Sequence, residues 1–199
     1  MKVAGTGASK LGSIRRQKHS KGVSEEEFAS ELGAGRIASL CGRYYAMDRD
    51  QRWERTQLTY NLLAQGTGER ATSAIEAIES AYASGVTDEF VKPIAISDSN
   101  GCPLATIDDG DSIIFFNFRG DRPRQITRAL TDDSFTGFER QKYPDVHYTT
   151  LTRYEKSLPV DGIAYPPEAL SQDMPLIFGE TVSLAGKRQL RIAETEKYA

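Results

Sequence analysis

The sequence has 199 residues, of which 39% are hydrophobic and 27% charged, as expected for one ordinary globular domain. No apolar run approaches the roughly 20 residues that a membrane-spanning helix needs, and the net charge of −3 excludes a nucleic-acid binder that acts through overall basicity. The two cysteines and two histidines do not have the spacing of a zinc site, and no feature of the sequence indicates a disulfide between the cysteines. We therefore expect reduced thiols and a cytoplasmic protein.

The charge is unevenly distributed along the chain. Residues 1–23 hold six cations and no acid, which leaves −9 for residues 24–199. A targeting peptide or a nucleic-acid arm can have such a composition, although the continuous apolar stretch of a secretory signal is missing. We predict a basic leader over residues 1–23, disordered or poorly matched, followed by one domain over residues 24–199.

The first half of the chain predicts three helices and one strand. Ser24 with the three acids after it indicates a helix that begins there and ends near residues 33–35. A short apolar strand over residues 37–40 leads into a polar turn over residues 42–55 that carries arginines. A helical stripe then runs from Trp53 to Gly66. The next helix is capped by Ser73 and Glu76, carries an apolar stripe and ends at Gly85.

The second half predicts an α/β fold. Residues 90–96 are typical of a strand, and residues 113–118 of a fully buried strand that a helix over residues 121–130 follows. Weaker strands are expected over residues 147–152 and 163–165. Because a strand, a polar turn and a helix form the repeating unit of parallel sheets, we predict a central, mostly parallel sheet flanked by helices.

Two segments, residues 42–50 and 117–122, each carry arginines into a turn after an apolar strand. Since ligands of open α/β sheets bind beyond the carboxyl ends of strands, these arginines lie where a ligand is expected. Guanidinium groups bind phosphate or carboxylate through two parallel hydrogen bonds, so one interpretation is a pocket for a small phosphorylated or carboxylated molecule. The other is a set of surface Arg–Asp pairs worth about 0–1 kcal/mol each. Interleaved acids argue against nucleic-acid binding. The arginines are Arg43, Arg49, Arg119 and Arg122, and the acids that can balance them are Asp48, Asp50 and Asp121.

The remaining chemically active side chains are predicted to be structural. Cys41 has no histidine partner nearby in sequence, so we expect an inert buried thiol. We expect His147 to be a half-buried strand residue. The acids around Gly110 are expected to form a solvated turn rather than a metal site. The aromatic residues beside the first arginines, Tyr44, Tyr45 and Trp53, are expected to pack.

Several long motifs resemble the cofactor-independent phosphoglycerate mutase family. They are Gly-Arg-Tyr-Tyr-Ala-Met-Asp-Arg-Asp at 42–50, Arg-Trp-Glu-Arg at 52–55, Thr-Asp-Glu-Phe-Val at 87–91, the segment 111–122, and the final segment 189–199. The resemblance extends over roughly residues 33–199. It implies the phosphotransferase domain of this family, an α/β domain that holds 2- or 3-phosphoglycerate while a phosphate moves between the two hydroxyls.

The resemblance also implies roles for individual residues. Arg43 and Arg49 match the two arginines of the first motif and are expected to bind substrate. Arg119 and Arg122 are expected around its phosphate or carboxylate. Lys197, in the Glu-Thr-Glu-Lys-Tyr motif, is expected to face the phosphate from the hinge side. The substrates implied are therefore 2- and 3-phosphoglycerate, in glycolysis, for an isomerase that we expect to be a monomer.

The sequence also departs from the family pattern. The family's Asp-Gly-Arg-Asp segment has no match in residues 12–19, and its nucleophilic serine and the ligands of its two Mn²⁺ ions are expected to be absent from this chain. We therefore expect a partial phosphotransferase domain without the phosphatase-like metal domain, inactive on its own. The alternatives are the binding subunit of a split enzyme, whose partner chain supplies a phosphatase-like domain, and a non-functional fragment.

Overall fold

The computed structural model describes residues 35–167, 174–188 and 190. The chain divides into two units, Met1–Tyr165 and Pro166–Ala199. The predicted leader, the helix predicted to begin at Ser24 and the candidate ligand Lys197 lie outside the described residues.

Three short strands form the first sheet, in the order β1-β3-β2. Strand β1 (Ser39–Leu40) is antiparallel to β3 (Ile94–Ile96), and β2 (Glu69–Ala71) is parallel to β3. All three residues of β3 are buried, as expected for the central strand of a sheet that is covered on both faces.

A second three-stranded sheet follows, in the order β4-β5-β6. Strands β4 (Ser112–Phe115), β5 (His147–Thr152) and β6 (Gly162–Tyr165) are all parallel, with Ile113 beside Tyr148 and Thr150 beside Ile163. The prediction of an α/β fold with mostly parallel strands is confirmed, and the described strands are divided between two sheets.

In the described part of the first unit, four helices connect these strands. They are α1 (Arg43–Ala46), α2 (Trp53–Gln65), α3 (Ala74–Ala83) and α4 (Arg124–Thr131). Helix α3 begins as predicted, because the Ser73 hydroxyl accepts a hydrogen bond from the Glu76 backbone N–H. Helix α2 ends at Gln65 and is capped by Gly66, whose φ of 67° is accessible to glycine at little cost. The second unit contains α5 (Met174–Leu184).

Helix α2 contributes to two of the buried clusters. Its residues Tyr60 and Leu63 pack in the cluster of the second sheet with Ile113 and Tyr148. Leu62, on the other side of the helix, packs with Met47 in a smaller cluster beside the first sheet. The helix thereby fixes the position of the residues after α1 relative to the second sheet.

Several elements begin or end at residues other than those predicted, because tertiary contacts determine their boundaries. The polar turn predicted over residues 42–55 contains α1, in which the backbone N–H groups of Tyr45 and Ala46 donate to the Gly42 carbonyl. Strand β3 begins at Ile94 rather than at residue 90, because a 3₁₀ turn occupies Asp88–Phe90. The strand predicted to be fully buried ends at Phe115 and alternates between buried and partly exposed residues, and Phe118 is 75% exposed.

Candidate functional site

The first arginine-bearing segment lies tightly against the turn Asp88–Phe90. Gly42 donates its backbone N–H to the Val91 carbonyl at 2.7 Å. A Cβ atom at Gly42 would lie 2.4 Å from the Glu89 carbonyl oxygen, so only glycine fits there. Arg43 follows directly, and its Nη2 lies 2.6 Å from Glu89 Oε2. The close approach of two backbones therefore places the first arginine beside an acid that is distant in sequence.

The second arginine-bearing segment, residues 116–123, connects β4 to α4. The Tyr154 hydroxyl lies 2.8 Å from the Phe115 carbonyl oxygen and 2.7 Å from that of Asn117, and it shares its proton between them. Burial raises the pKa of Tyr154 well above its usual value, so the hydroxyl remains a donor at neutral pH. A Cβ at Gly120 would lie 2.8 Å from the Tyr154 Cα. Tyr154 thus fixes this segment at both ends of its turn.

The two segments line one cavity of about 860 Å³. This volume is within the range of small-molecule sites. One wall comes from α1 and the turn before β3, and the other from the segment after β4. The lining residues are Arg43, Met47, Tyr82, Gly85, Val86, Thr87, Asp88, Glu89, Asn117, Arg119, Asp121 and Arg122. Three of the four predicted arginines therefore border a single space, although Arg43 lies more than 70 residues before the other two in sequence.

The fourth arginine, Arg49, adjoins this cavity through Asp121. The Arg49 Nη1 lies 3.5 Å from Asp121 Oδ2, and the Arg119 Nε lies 3.8 Å from Asp121 Oδ1. The side chain of Asp121 is 9% exposed, whereas those of Arg49 and Arg119 are 44% and 75% exposed. One largely buried carboxylate thus holds two exposed guanidinium groups next to each other.

Arg122 connects the two segments directly. Its Nη1 donates a hydrogen bond of 3.0 Å to the Met47 carbonyl oxygen, and it also lines the cavity. The Asn117 Nδ2 lies 3.8 Å from the Met47 sulfur. Met47 is thus the contact point on the first segment for two polar side chains of the second.

Acids balance the arginines of the cavity, but only one of them was predicted. The lining contains three arginines and three acids, Asp88, Glu89 and Asp121. Asp48, predicted to balance the arginines, is buried, lies 3.5 Å from Arg55 and accepts backbone N–H groups. Asp50 is exposed and contributes one of those N–H groups. Glu89 was missed because the motif that contains it, residues 87–91, did not indicate a partner for its carboxylate.

A smaller cavity of about 290 Å³ lies elsewhere on the second sheet. Its lining includes two cations, Arg153 and Lys156, together with Glu155 and Thr150. The Glu155 carboxylate is paired with Arg128 at 2.8 Å. The exposed cations of this cavity allow control substitutions away from the first cavity.

The other reactive side chains behave as structural groups, with one correction. Burial raises the pKa of Cys41 to about 12, and its thiol lies 3.2 Å from the Thr59 hydroxyl, so it is protonated and unreactive at neutral pH. His147 is on a strand as predicted, but it is exposed rather than half-buried, with Nδ1 3.7 Å from Asp161. Its position at the first residue of β5 explains the exposure. Trp53 packs against Phe135 as expected.

The described residues contain no group of three or more His, Cys, Asp or Glu side chains that could hold a metal ion. The acids around Gly110 bond instead to nearby backbone and to Lys142, with Asp108 Oδ1 2.5 Å from its Nζ. Within the same residues, no helix has the length and apolar character to cross a membrane.

These observations define an α/β domain with a cavity that is bordered by three arginines and three acids. A family model described as "BPG-independent PGAM N-terminus (iPGM_N)" matches residues 17–156. The chain belongs to this family, that of the 2,3-bisphosphoglycerate-independent phosphoglycerate mutases.

The similarity to individual relatives is high over most of this chain. It is 52% identical over 177 residues to the 2,3-bisphosphoglycerate-independent phosphoglycerate mutase of Clostridium perfringens (strain 13 / Type A), which covers 89% of this chain and 33% of the relative. The corresponding enzyme of Clostridium tetani (strain Massachusetts / E88) is 54% identical over 177 residues, with the same 89% and 33% coverage. The chain thus spans about a third of the length of these relatives.

A solved structure shares the fold. The structure of Leishmania mexicana phosphoglycerate mutase at low cobalt concentration superposes with a TM-score of 0.70 at 31% sequence identity, over 82% of this chain and 30% of that one. The fold prediction is therefore confirmed by comparison as well as by the described strands.

Proposed function

We propose that this chain forms the substrate-binding part of a phosphoglycerate mutase and that its arginine-lined cavity holds 2- or 3-phosphoglycerate. The observation that carries the proposal is that Arg43, Arg119 and Arg122, from two segments distant in sequence, line one cavity. Family membership supports the substrate class. Arg49, next to Arg119 through Asp121, extends the cationic surface at the same place.

The proposed ligand would bind the arginines in place of a carboxylate with which one of them is now paired. A phosphoglycerate carries a carboxylate and a phosphate whose second pKa is near 6, hence about three negative charges at neutral pH. The Arg43–Glu89 pair is 44% and 36% exposed, and such surface pairs contribute only about 0–1 kcal/mol. A phosphate that accepts two parallel hydrogen bonds from a guanidinium can therefore replace the carboxylate as its partner.

The chemical role proposed for this part is binding and orientation. Phosphoryl transfer requires positioning of the substrate and neutralisation of charge on the equatorial oxygens, which arginines supply. The cavity is larger than a three-carbon acid requires, which leaves space for the group that accepts the phosphate. We propose that the nucleophile and metal ions of the isomerase come from outside the described residues, and that the protein acts in glycolysis in the cytoplasm.

Calorimetric titration with 3-phosphoglycerate tests this function. We expect the chain to bind the ligand and Arg119→Ala to weaken binding about tenfold, since one lost charge-assisted contact at a mostly exposed side chain costs about 1.4 kcal/mol. The matched control is Arg153→Ala, which removes an exposed arginine from the smaller cavity.

Two results would contradict the proposed function. One is the absence of 3-phosphoglycerate binding to the unchanged chain at millimolar concentration. The other is an equal loss of affinity in Arg119→Ala and Arg153→Ala, which would mean that the ligand responds only to overall charge. Retained affinity in Arg153→Ala combined with weaker binding in Arg119→Ala supports it.

A further inference from the structure

A buried hydrogen-bond network lies behind the arginines and joins the two segments that carry them. The first segment continues to residue 52, between α1 and α2, and the second, residues 116–123, leads directly into α4. We propose that Gln125, acting through Asp48, is a positioning residue that sets the spacing between these segments and so the affinity of the cavity for phosphoglycerate. This inference rests on the proposed function.

The carboxylate of Asp48 organises the first segment. Asp48 is 4% exposed, and its Oδ2 accepts hydrogen bonds from the backbone N–H groups of Asp50 at 3.0 Å and Arg52 at 2.9 Å. The same oxygen accepts a third bond, of 2.9 Å, from Gln125 Nε2. Three donors on one buried oxygen fix the backbone on both sides of Asp50 and leave it one preferred conformation.

The Gln125 side chain bonds to the first segment with both ends of its amide. Its Oε1 accepts the backbone N–H of Gln51 at 2.8 Å, while Nε2 donates to Asp48 and lies 3.2 Å from the Thr56 hydroxyl. Gln51 has a φ of 58°, a left-handed conformation that costs a non-glycine residue about 1 kcal/mol. Gln125 is itself 8% exposed. A strained backbone is thus held by a side chain from another part of the sequence.

The network is placed where it controls the arginines. Arg49 lies between Asp48 and Asp50, the two residues whose conformation the carboxylate fixes. Gln125 lies in the first turn of α4, directly after the segment that carries Arg119 and Arg122. Any shift of α4 relative to Asp48 therefore changes the separation of the arginines on the two segments.

Two of the arginines themselves cross between the segments. Arg122 donates to the Met47 carbonyl at 3.0 Å, and the Arg49 Nη1 lies 3.5 Å from Asp121 Oδ2. The Arg49–Asp121 contact is exposed and the Arg122–Met47 bond is partly buried, whereas the Asp48–Gln125 bond is buried. The buried bond has the geometry and the low exposure to maintain the spacing when a ligand takes over the surface contacts.

Gln125→Met tests this role against a matched change on the same helix. Methionine keeps the length and approximate volume of glutamine but removes both amide contacts. The control, Thr127→Val, removes a buried hydroxyl that lies 3.1 Å from the Tyr148 hydroxyl, and neither of these residues lines the cavity. Both variants are titrated with 3-phosphoglycerate and with inorganic phosphate, and unfolding temperatures identify a measuring temperature at which both are folded.

A positioning role predicts a ligand-dependent effect. We expect Gln125→Met to weaken 3-phosphoglycerate binding about tenfold and inorganic phosphate binding less than threefold, because the larger ligand needs arginines of both segments at a fixed separation. Thr127→Val is expected to change both affinities less than twofold. In the free protein, amide hydrogen exchange at residues 50–52 is expected to increase in Gln125→Met alone.

The outcomes separate this inference from the proposed function. If the unchanged chain binds 3-phosphoglycerate and Gln125→Met binds it equally well, or loses affinity for both ligands by the same factor, the positioning role is rejected while the proposed function stands. If the unchanged chain does not bind 3-phosphoglycerate, both are rejected. A loss confined to 3-phosphoglycerate, with faster exchange at residues 50–52, supports the inference.

Discussion

Replacing Arg122 by alanine is expected to weaken 3-phosphoglycerate binding about 100-fold, equivalent to about 2.7 kcal/mol. The change removes a guanidinium group from the cavity and also the 3.0 Å hydrogen bond to the Met47 carbonyl. Because Arg122 is only partly exposed, its charge is less screened by water than that of Arg119. The affinity of Arg122→Lys for 3-phosphoglycerate is expected to lie between those of the unchanged chain and Arg122→Ala. Lysine keeps the charge but not the planar pair of donors.

Arg140→Ala is the matched control for this measurement. Arg140 is also partly exposed and also donates to backbone carbonyls, those of Ala129 at 3.0 Å and Asp132 at 2.9 Å, but it does not line the cavity. Calorimetry at 25 °C, with the unfolding temperature of each variant, separates binding from stability. We expect Arg140→Ala to lower the unfolding temperature and leave affinity unchanged. A similar loss of affinity in both variants would show that Arg122 acts only through the stability of the fold.

Replacing Gly42 by alanine is expected to destabilise the chain by about 3 kcal/mol, which lowers the unfolding temperature by about 6–12 °C for a chain of this size. The added Cβ would lie 2.4 Å from the Glu89 carbonyl oxygen and 2.8 Å from the Val91 nitrogen, both of them backbone atoms. Side chains can rotate away from such a contact, but here the turn Asp88–Phe90 or α1 must move. The backbone of Gly42 itself suits alanine, since its φ is −68° and its ψ 152°.

Gly110→Ala measures the cost of backbone strain alone, without the steric overlap that is expected at Gly42. Gly110 has a φ of 79° and open space where its Cβ would lie. We expect a loss of about 1 kcal/mol there, from backbone strain alone. Thermal unfolding followed by circular dichroism compares the two variants. Equal losses at Gly42 and Gly110 would contradict the close backbone contact that places Arg43 beside Glu89.

Features determined by local interactions could be predicted from the sequence. Helix α3 has its cap at Ser73 and a stop at Gly85, and it begins and ends close to those residues. Strand β5 was predicted over the residues that form it. In contrast, β2 is the polar stretch Glu69–Ala71, which is a strand only because it pairs with β3. Helix α1 is too short to show a stripe and depends on the contact at Gly42.

The sequence predicted which arginines contribute to the candidate site, but it predicted few of the residues that contact them. The arginines lie in two motifs that each follow an apolar strand, so the sequence indicated them and suggested that they converge. The residues that balance or position them are set by long-range geometry. Glu89 lies 46 residues from Arg43, and Gln125 lies 77 residues from Asp48. Gln125 is an uncharged residue within a helix, and only its burial beside a carboxylate indicates its role.

A crystal structure of the chain with bound 3-phosphoglycerate is the most direct test of the binding site. We expect the ligand in the cavity of about 860 Å³, with its anionic oxygens within hydrogen-bond distance of guanidinium groups from both segments, Arg43 or Arg49 on one side and Arg119 or Arg122 on the other. Density beside Arg153 and Lys156 in the smaller cavity, or contact with arginines of one segment only, would contradict convergence of the two segments on one substrate.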